Sequence, residues 1–155
     1  MSGGFIVGGK TTFPVEGLSI RTFAEDGVHR FPSKGKRARA VELVIHETVT
    51  RSVDSTIAVL KKRGLSVHLV MGADGALTQH GDLATDILWH ASQHNGPSFG
   101  VEVVNPYYPS YLKPGLPWNR VIKAPWAHKG ENVLPTPAQA EADRKSTRLN
   151  SSHAN

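Results

Sequence analysis

Residues 41–64 read VELVIHETVTRSVDSTIAVLKKRG, and the change of period halfway along this stretch decides the fold. Val41-Glu42-Leu43-Val44-Ile45 is a short run rich in β-branched residues, which predicts a buried strand ending at His46. Past Thr50 the apolar residues recur at helical spacing, as Val53, Ile57 and Leu60. Ser52 is placed to cap the start, and Lys61-Lys62-Arg63-Gly64 supply a basic last turn and a C′ glycine. A strand that feeds a helix announces an α/β domain.

Downstream, residues 67–71 predict another strand, and Ala73-Asp74-Gly75 turns it into a third at 76–79, giving a hairpin. Phe99-Gly100-Val101-Glu102-Val103-Val104 predicts an apolar strand with one ionisable residue inside it. Upstream, residues 11–15 and 18–23 flank Glu16-Gly17 as a strand–turn–strand. Residues 25–39 and 89–97 read as loops, and the Pro-, Tyr- and Trp-rich stretch 105–135 as a long packed one. Thr136-Pro137-Ala138-Gln139 is a capping box with proline at the first helical position. The architecture expected is α/β, with a mixed central β-sheet flanked by helices. The helix that Thr136 opens has no apolar stripe in RKSTRLNSSHAN, residues 144–155. The domain is therefore expected to span 1–143 with its C-terminal part missing, and 144–155 to be a non-native or disordered tail.

A chain of 155 residues builds one core comfortably, and 39% hydrophobic with 20% charged residues is ordinary for a globular protein. Cysteine is absent, which excludes disulfides and thiolate metal sites. A metal would have to be held by histidine, of which there are eight, or by oxygen ligands. The net charge of +5 invites a nucleic-acid reading, but three of the 18 basic residues are Arg144, Lys145 and Arg148. Outside 144–155, 15 basic residues face 13 acidic ones, which gives no reason to expect a polyanion partner. Residues 1–10 lack a basic segment followed by a long apolar run, and no stretch approaches the about 18 apolar residues of a membrane span. Neither export by a signal peptide nor membrane insertion is expected.

Three features carry candidate chemistry. His46 ends a buried strand, where an imidazole projects into a cleft or sits satisfied in the core. Glu102 lies between valines; strand alternation puts it on one face with Gly100 and Val104, so it is either a functional buried carboxylate or part of a half-exposed polar face. His90 and His94 have the spacing of two zinc ligands on one helix face. Yet the glutamate of such a motif is absent and Asn95-Gly96-Pro97 would stop the helix.

Taken in order, Val44-Ile45-His46-Glu47-Thr48, Ser66-Val67-His68-Leu69-Val70-Met71 with Asp74-Gly75, Gln79, Trp89-His90-Ala91, and Asn95 with Ser98-Phe99-Gly100-Val101-Glu102 form a pattern. It resembles the N-acetylmuramoyl-L-alanine amidase family, which includes peptidoglycan-recognition proteins, phage lysozyme-type amidases and cytosolic anhydromuropeptide amidases. The resemblance covers residues 41–105 and extends to the helix start at 135–142. It implies zinc-dependent hydrolysis of the amide between N-acetylmuramic acid and L-alanine, with peptidoglycan or a muropeptide as substrate and Zn2+ as cofactor.

By the resemblance His46 is the first zinc ligand, Glu102 the general base, and His90 and Asn95 line the substrate groove. His68 matches a common histidine that is not generally a ligand. Glu47 stands where a second, non-ligating histidine is often found. The family's second zinc histidine, and an aspartate or cysteine with a nearby lysine, follow the helix that Thr136 begins. His128 precedes that helix and His153 lies in the tail, so the zinc site is expected to be incomplete and the fragment inactive, in contrast to its parent. A non-catalytic peptidoglycan-binding module is the alternative. The absence of a signal peptide suits a cytoplasmic enzyme or a phage lysin released to the cell wall.

Overall fold

The computed structural model describes residues 3–152, with the backbone alone for residue 128 and residues 147–152. His153 and the side chain of His128 lie outside what is described. Two short strands, β1 (Ile6–Val7) and β2 (Lys10–Thr11), form a hairpin. The main sheet contains β3 (Ile20–Thr22), β4 (Glu42–Glu47), β5 (Leu69–Met71), β6 (Leu77–Gln79) and β7 (Ser98–Val103). Its order is β3-β6-β5-β7-β4, with only the β5–β6 pair antiparallel. The sheet is mixed, as expected, and places β4 at one edge.

Helix α1 (Val53–Arg63) starts at Ser52, whose side chain accepts from the Ser55 backbone N–H. It stops at Gly64, whose φ of 67° is strained for a side chain with a Cβ. Its apolar residues Val53, Ile57 and Leu60 pack with Val70 and Val104 on one face of the sheet. On the opposite face Leu69, Met71, Val101 and Val103 pack with Ala142 of the second helix, α2 (Pro137–Ser152). The central strands are thus covered on both sides, which is why β5 is a run of three buried residues without alternation. No helix among the described residues is long and apolar enough to cross a membrane.

The capping box of α2 also ties the helix to the sheet. Thr136 Oγ1 accepts from Gln139 N at 3.1 Å, and Gln139 Oε1 accepts from Thr136 N at 2.9 Å. Gln139 Nε2 donates to Val104 O at 2.7 Å, just past β7, and Gln139 Oε1 also accepts from Trp118 Nε1 at 3.3 Å. Gly75 lets the helix approach, since a Cβ there would lie 2.6 Å from Ala138 O. Residues 144–152 continue α2, with Arg144 and Lys145 both paired to Glu141. Lys145 Nζ also donates to Gly17 O at 3.4 Å.

Two expectations are corrected. Residues 18–23 do not turn back on 11–15: Ile20–Thr22 pairs in parallel with Leu77–Gln79, where Ile20 and Leu77 share the core, and Lys10–Thr11 pairs with β1 instead. The stretch 105–135 is not loop throughout, because β8 (Val121–Lys123) and β9 (Glu131–Val133) form an antiparallel pair within it. Three-residue strands are too short to show alternation, so their pairing had no local signal.

Gln139→Ala should cost about 2–3 kcal/mol, because it strips partners from Val104 O and Trp118 Nε1 in a buried setting and removes half of a helix cap. Urea denaturation of the variant against the parent chain measures it; a loss within about 0.5 kcal/mol would show that α2 does not hold the sheet in this way.

Candidate functional site

Parallel register makes His46 of β4 the Cα partner of Glu102 of β7, and Glu102 in turn the partner of Val70 of β5. Registered neighbours project to the same side, so His46 and Glu102 stand side by side on the face that carries α1. Burial pushes the Glu102 carboxyl up from 4.5 to about 7, with Arg63 at the end of α1 pulling the other way. Burial also lowers the His46 imidazole. The pair is therefore a neutral imidazole beside a carboxyl that exchanges its proton near neutrality.

His90 completes the cluster. Its Nδ1 lies 3.1 Å from His46 Nε2, with the two rings edge to face. The ring rests on Gly100, where a Cβ would come within 2.5 Å of His90 Nδ1. That is the reason β7 carries glycine two residues before Glu102. Beneath it, fully buried His68 accepts from Gly100 N–H through Nδ1 at 3.1 Å and donates through Nε2 to Asp86 O at 2.8 Å. His90 is lowered to about 4, first by burial and then by the neighbouring His68 and His46.

The other residues predicted from sequence take different places. Asn95 Oδ1 accepts from the backbone N–H groups of His90 and Ala91 at 2.9 and 2.7 Å. Its carbonyl therefore fixes the turn that carries His90. His94 does not converge with His90: its Nδ1 is 2.9 Å from Glu42 Oε2 at the other end of β4. Sequence reasoning passed over Arg37, in the polar stretch 25–39. Its guanidinium donates to the carbonyls of Leu83, Ala84, Gly96 and Ser98, tying the His90 turn to the 82–86 segment. An arginine in a polar loop offers no signal of that role.

The donors suit zinc in kind, since neutral imidazoles are among its usual nitrogen ligands, and His46 is only half-buried. They fall short in number. A catalytic zinc takes three protein ligands, and among the described residues no group of three or more His, Cys, Asp or Glu side chains gathers for one.

Residues 36–149 match a family model described as N-acetylmuramoyl-L-alanine amidase. Among solved structures the chain is similar to Drosophila peptidoglycan recognition protein PGRP-SA, with a TM-score of 0.54 and 16% identity over 85% of this chain and 71% of that one. A point mutant of Drosophila PGRP-LB in complex with tracheal cytotoxin gives 0.53 and 14%, over 84% and 72%. The Escherichia coli amidase AmiD in complex with a substrate gives 0.46 and 22%, over 81% and 49%. For the two Drosophila proteins the likeness is one of fold. No curated protein sequence matches the chain.

The raised Glu102 carboxyl has a consequence for stability. An acid whose folded pKa lies above its unfolded value contributes stability that is full below 4.5 and is lost as pH rises through about 7. Glu102→Gln is neutral at every pH. It should match the parent chain near pH 4 and become more stable through the 4.5–7 window, by roughly 2–3 kcal/mol at pH 8. Denaturant melts at the two pH values read the difference, and equal stability at pH 8 would contradict the burial of this carboxylate.

Proposed function

Because the chain belongs to the N-acetylmuramoyl-L-alanine amidase family, we propose that its His46–Glu102 groove is the centre for zinc-dependent hydrolysis of the amide joining N-acetylmuramic acid to L-alanine. One observation carries this reading: a carboxyl held near pKa 7, in register beside a neutral histidine on an accessible sheet edge. A group with that pKa is half ionised at neutral pH, so it accepts a proton and gives it back within one cycle.

Glu102, ionised, takes the proton of the attacking water and delivers it to the departing amine of L-alanine. Zinc, held in part by His46, would supply the Lewis acidity that polarises the amide carbonyl. His90, seated on Gly100 and fixed through Asn95, forms the wall that sets how closely the muramoyl side approaches. The peptide stem would leave along the open edge of β4. Peptidoglycan or a muropeptide is the substrate on this reading.

The second reading is a peptidoglycan-binding module without catalysis. It is favoured by the same ligand shortfall: the described residues gather no three-ligand cluster. The two readings part on one assay. The 155-residue chain should bind muropeptide and release no peptide. A chain extended to carry the downstream histidine and the aspartate or cysteine that the family resemblance implies should hydrolyse it in a chelator-sensitive way. In that enzyme Glu102→Gln should lower kcat by roughly 10²–10⁴-fold with little change in zinc content. Binding without hydrolysis in the zinc-loaded extended chain would make this a recognition module.

A further inference from the structure

Just beyond the candidate site lies a cavity of about 570 Å3 that the chemistry at Glu102 does not use. Val49, Thr50 and Arg51 line it from the chain that leaves β4, Pro106 from the chain that leaves β7, and Tyr111 from a short 3-10 turn (Pro109–Tyr111). Thr50 is four residues past His46, and Pro106 four past Glu102. Four residues of chain extend at most about 14 Å, so the cavity wall stays within that distance of both backbones. It stands beyond the carboxyl ends of two parallel strands, where open α/β sheets take their ligands.

Arg51 is the one charged side chain among the described residues that line this cavity, and its guanidinium is already aimed. Nε and Nη2 donate to Tyr111 O at 3.3 and 3.2 Å, and Cζ stands 5.7 Å from the centre of the Tyr111 ring. Those two hydrogens occupy one edge of the planar group. The end edge, formed by Nη1 and the second hydrogen of Nη2, meets no acceptor among the described residues, and no carboxylate there pairs with Arg51. The serine hydroxyls beside it are engaged: Ser52 donates to Ser55 Oγ and Ser55 to Ser52 O, so the α1 cap satisfies itself. A ligand therefore meets a fork of parallel N–H groups with a full positive charge and no negative wall. That is the geometry a carboxylate fills with two hydrogen bonds.

We infer that the cavity takes a free carboxylate of the peptide stem, bound end-on by Arg51, and that Arg51 makes the groove selective for a stem whose second residue keeps its α-carboxylate. This rests on the muropeptide reading of the His46–Glu102 groove and adds a determinant of stem chemistry to it. The span agrees. With the L-alanine amide at Glu102, the α-carboxylate of the second residue lies about 7 Å further along an extended stem, inside the reach of the cavity. Amidation of that carboxyl keeps its shape but exchanges one acceptor oxygen for an NH2 group, which sets a donor against the donors of the fork.

The test compares two isomers of equal charge. N-acetylmuramoyl-L-alanyl-D-glutamine has a free α-carboxylate, whereas in N-acetylmuramoyl-L-alanyl-D-isoglutamine the α-position is the amide. NMR titration of the 155-residue chain should show tighter binding of the glutamine isomer by about tenfold or more, the discrimination expected of one charge-assisted pair. Arg51→Gln should bind both isomers with the weaker affinity. Arg51→Lys, which keeps the charge and loses the fork, should retain only part of the preference. Arg21→Gln, which removes a charge from β3 at the opposite edge of the sheet, should leave the preference intact. Arg51 is exposed, so its substitution leaves the core unchanged. Equal affinity of the parent chain for the two isomers, or a preference for isoglutamine, would overturn the Arg51 assignment and leave the amidase reading standing. So would a preference that survives in Arg51→Gln. Failure to bind either isomer would overturn both the subsite and the muropeptide reading on which it rests.

Discussion

β7 lies between β4 and β5 with Glu102 opposite His46 on one side and Val70 on the other, and a slip of one residue would turn Glu102 to the face that α2 covers. The apolar residues enforce the register. Val101 and Val103 must meet Leu69 and Met71 in the core beneath α2, while Val104 meets Val70 and Leu60 beneath α1. Gly100 then falls where the His90 ring needs space, and its N–H where His68 accepts it. The placement of Glu102, His46 and His90 is thus a by-product of how one strand is packed on both faces.

The same packing sets the protonation of the groove. His68, His80 and His90 are all lowered to about 4, mainly by burial, while Glu102 is raised to about 7 by the same cause. Desolvation penalises whichever form is charged, so it acts in opposite directions on an imidazole and a carboxyl. The linkage signs are opposite as well. The three histidines contribute stability that is lost as pH falls from 6.5 through about 4, and Glu102 contributes stability that is lost as pH rises through about 7. Near neutrality the site holds neutral imidazoles as lone-pair donors beside a carboxyl ready to move a proton, and neither depends on an ion pair.

Positioning in this fold is done by backbone carbonyls and N–H groups more than by salt bridges. Arg37 gathers carbonyls from two loops, Asp82 accepts from the N–H groups of Gly8, Gly9, Ala84 and Thr85, and Asn95 closes the turn under His90. Buried Asp86 is the exception, paired with Lys36 and Arg30. These contacts converge on the segment 82–98 that carries His90.

Local signals in the sequence determined a good deal. The helical spacing with its Ser52 and Gly64 caps, the 67–79 hairpin and the Thr136–Gln139 capping box are each written within a dozen residues, and each formed as read. The run at 41–45 also formed a strand, but a half-exposed edge strand reaching Glu47 where a buried one was expected. Alternation within 99–104 also sorted Glu102 from its valine neighbours. Tertiary structure alone decided which strands paired and who met whom at the site. It joined Ile20–Thr22 to β6, paired β8 with β9, set His46 opposite Glu102, turned Asn95 onto the backbone and recruited Arg37. The physical reason is range: periodicity and capping bias a few neighbouring dihedrals, whereas register and side-chain convergence are fixed only when apolar surfaces distant in sequence are buried against one another.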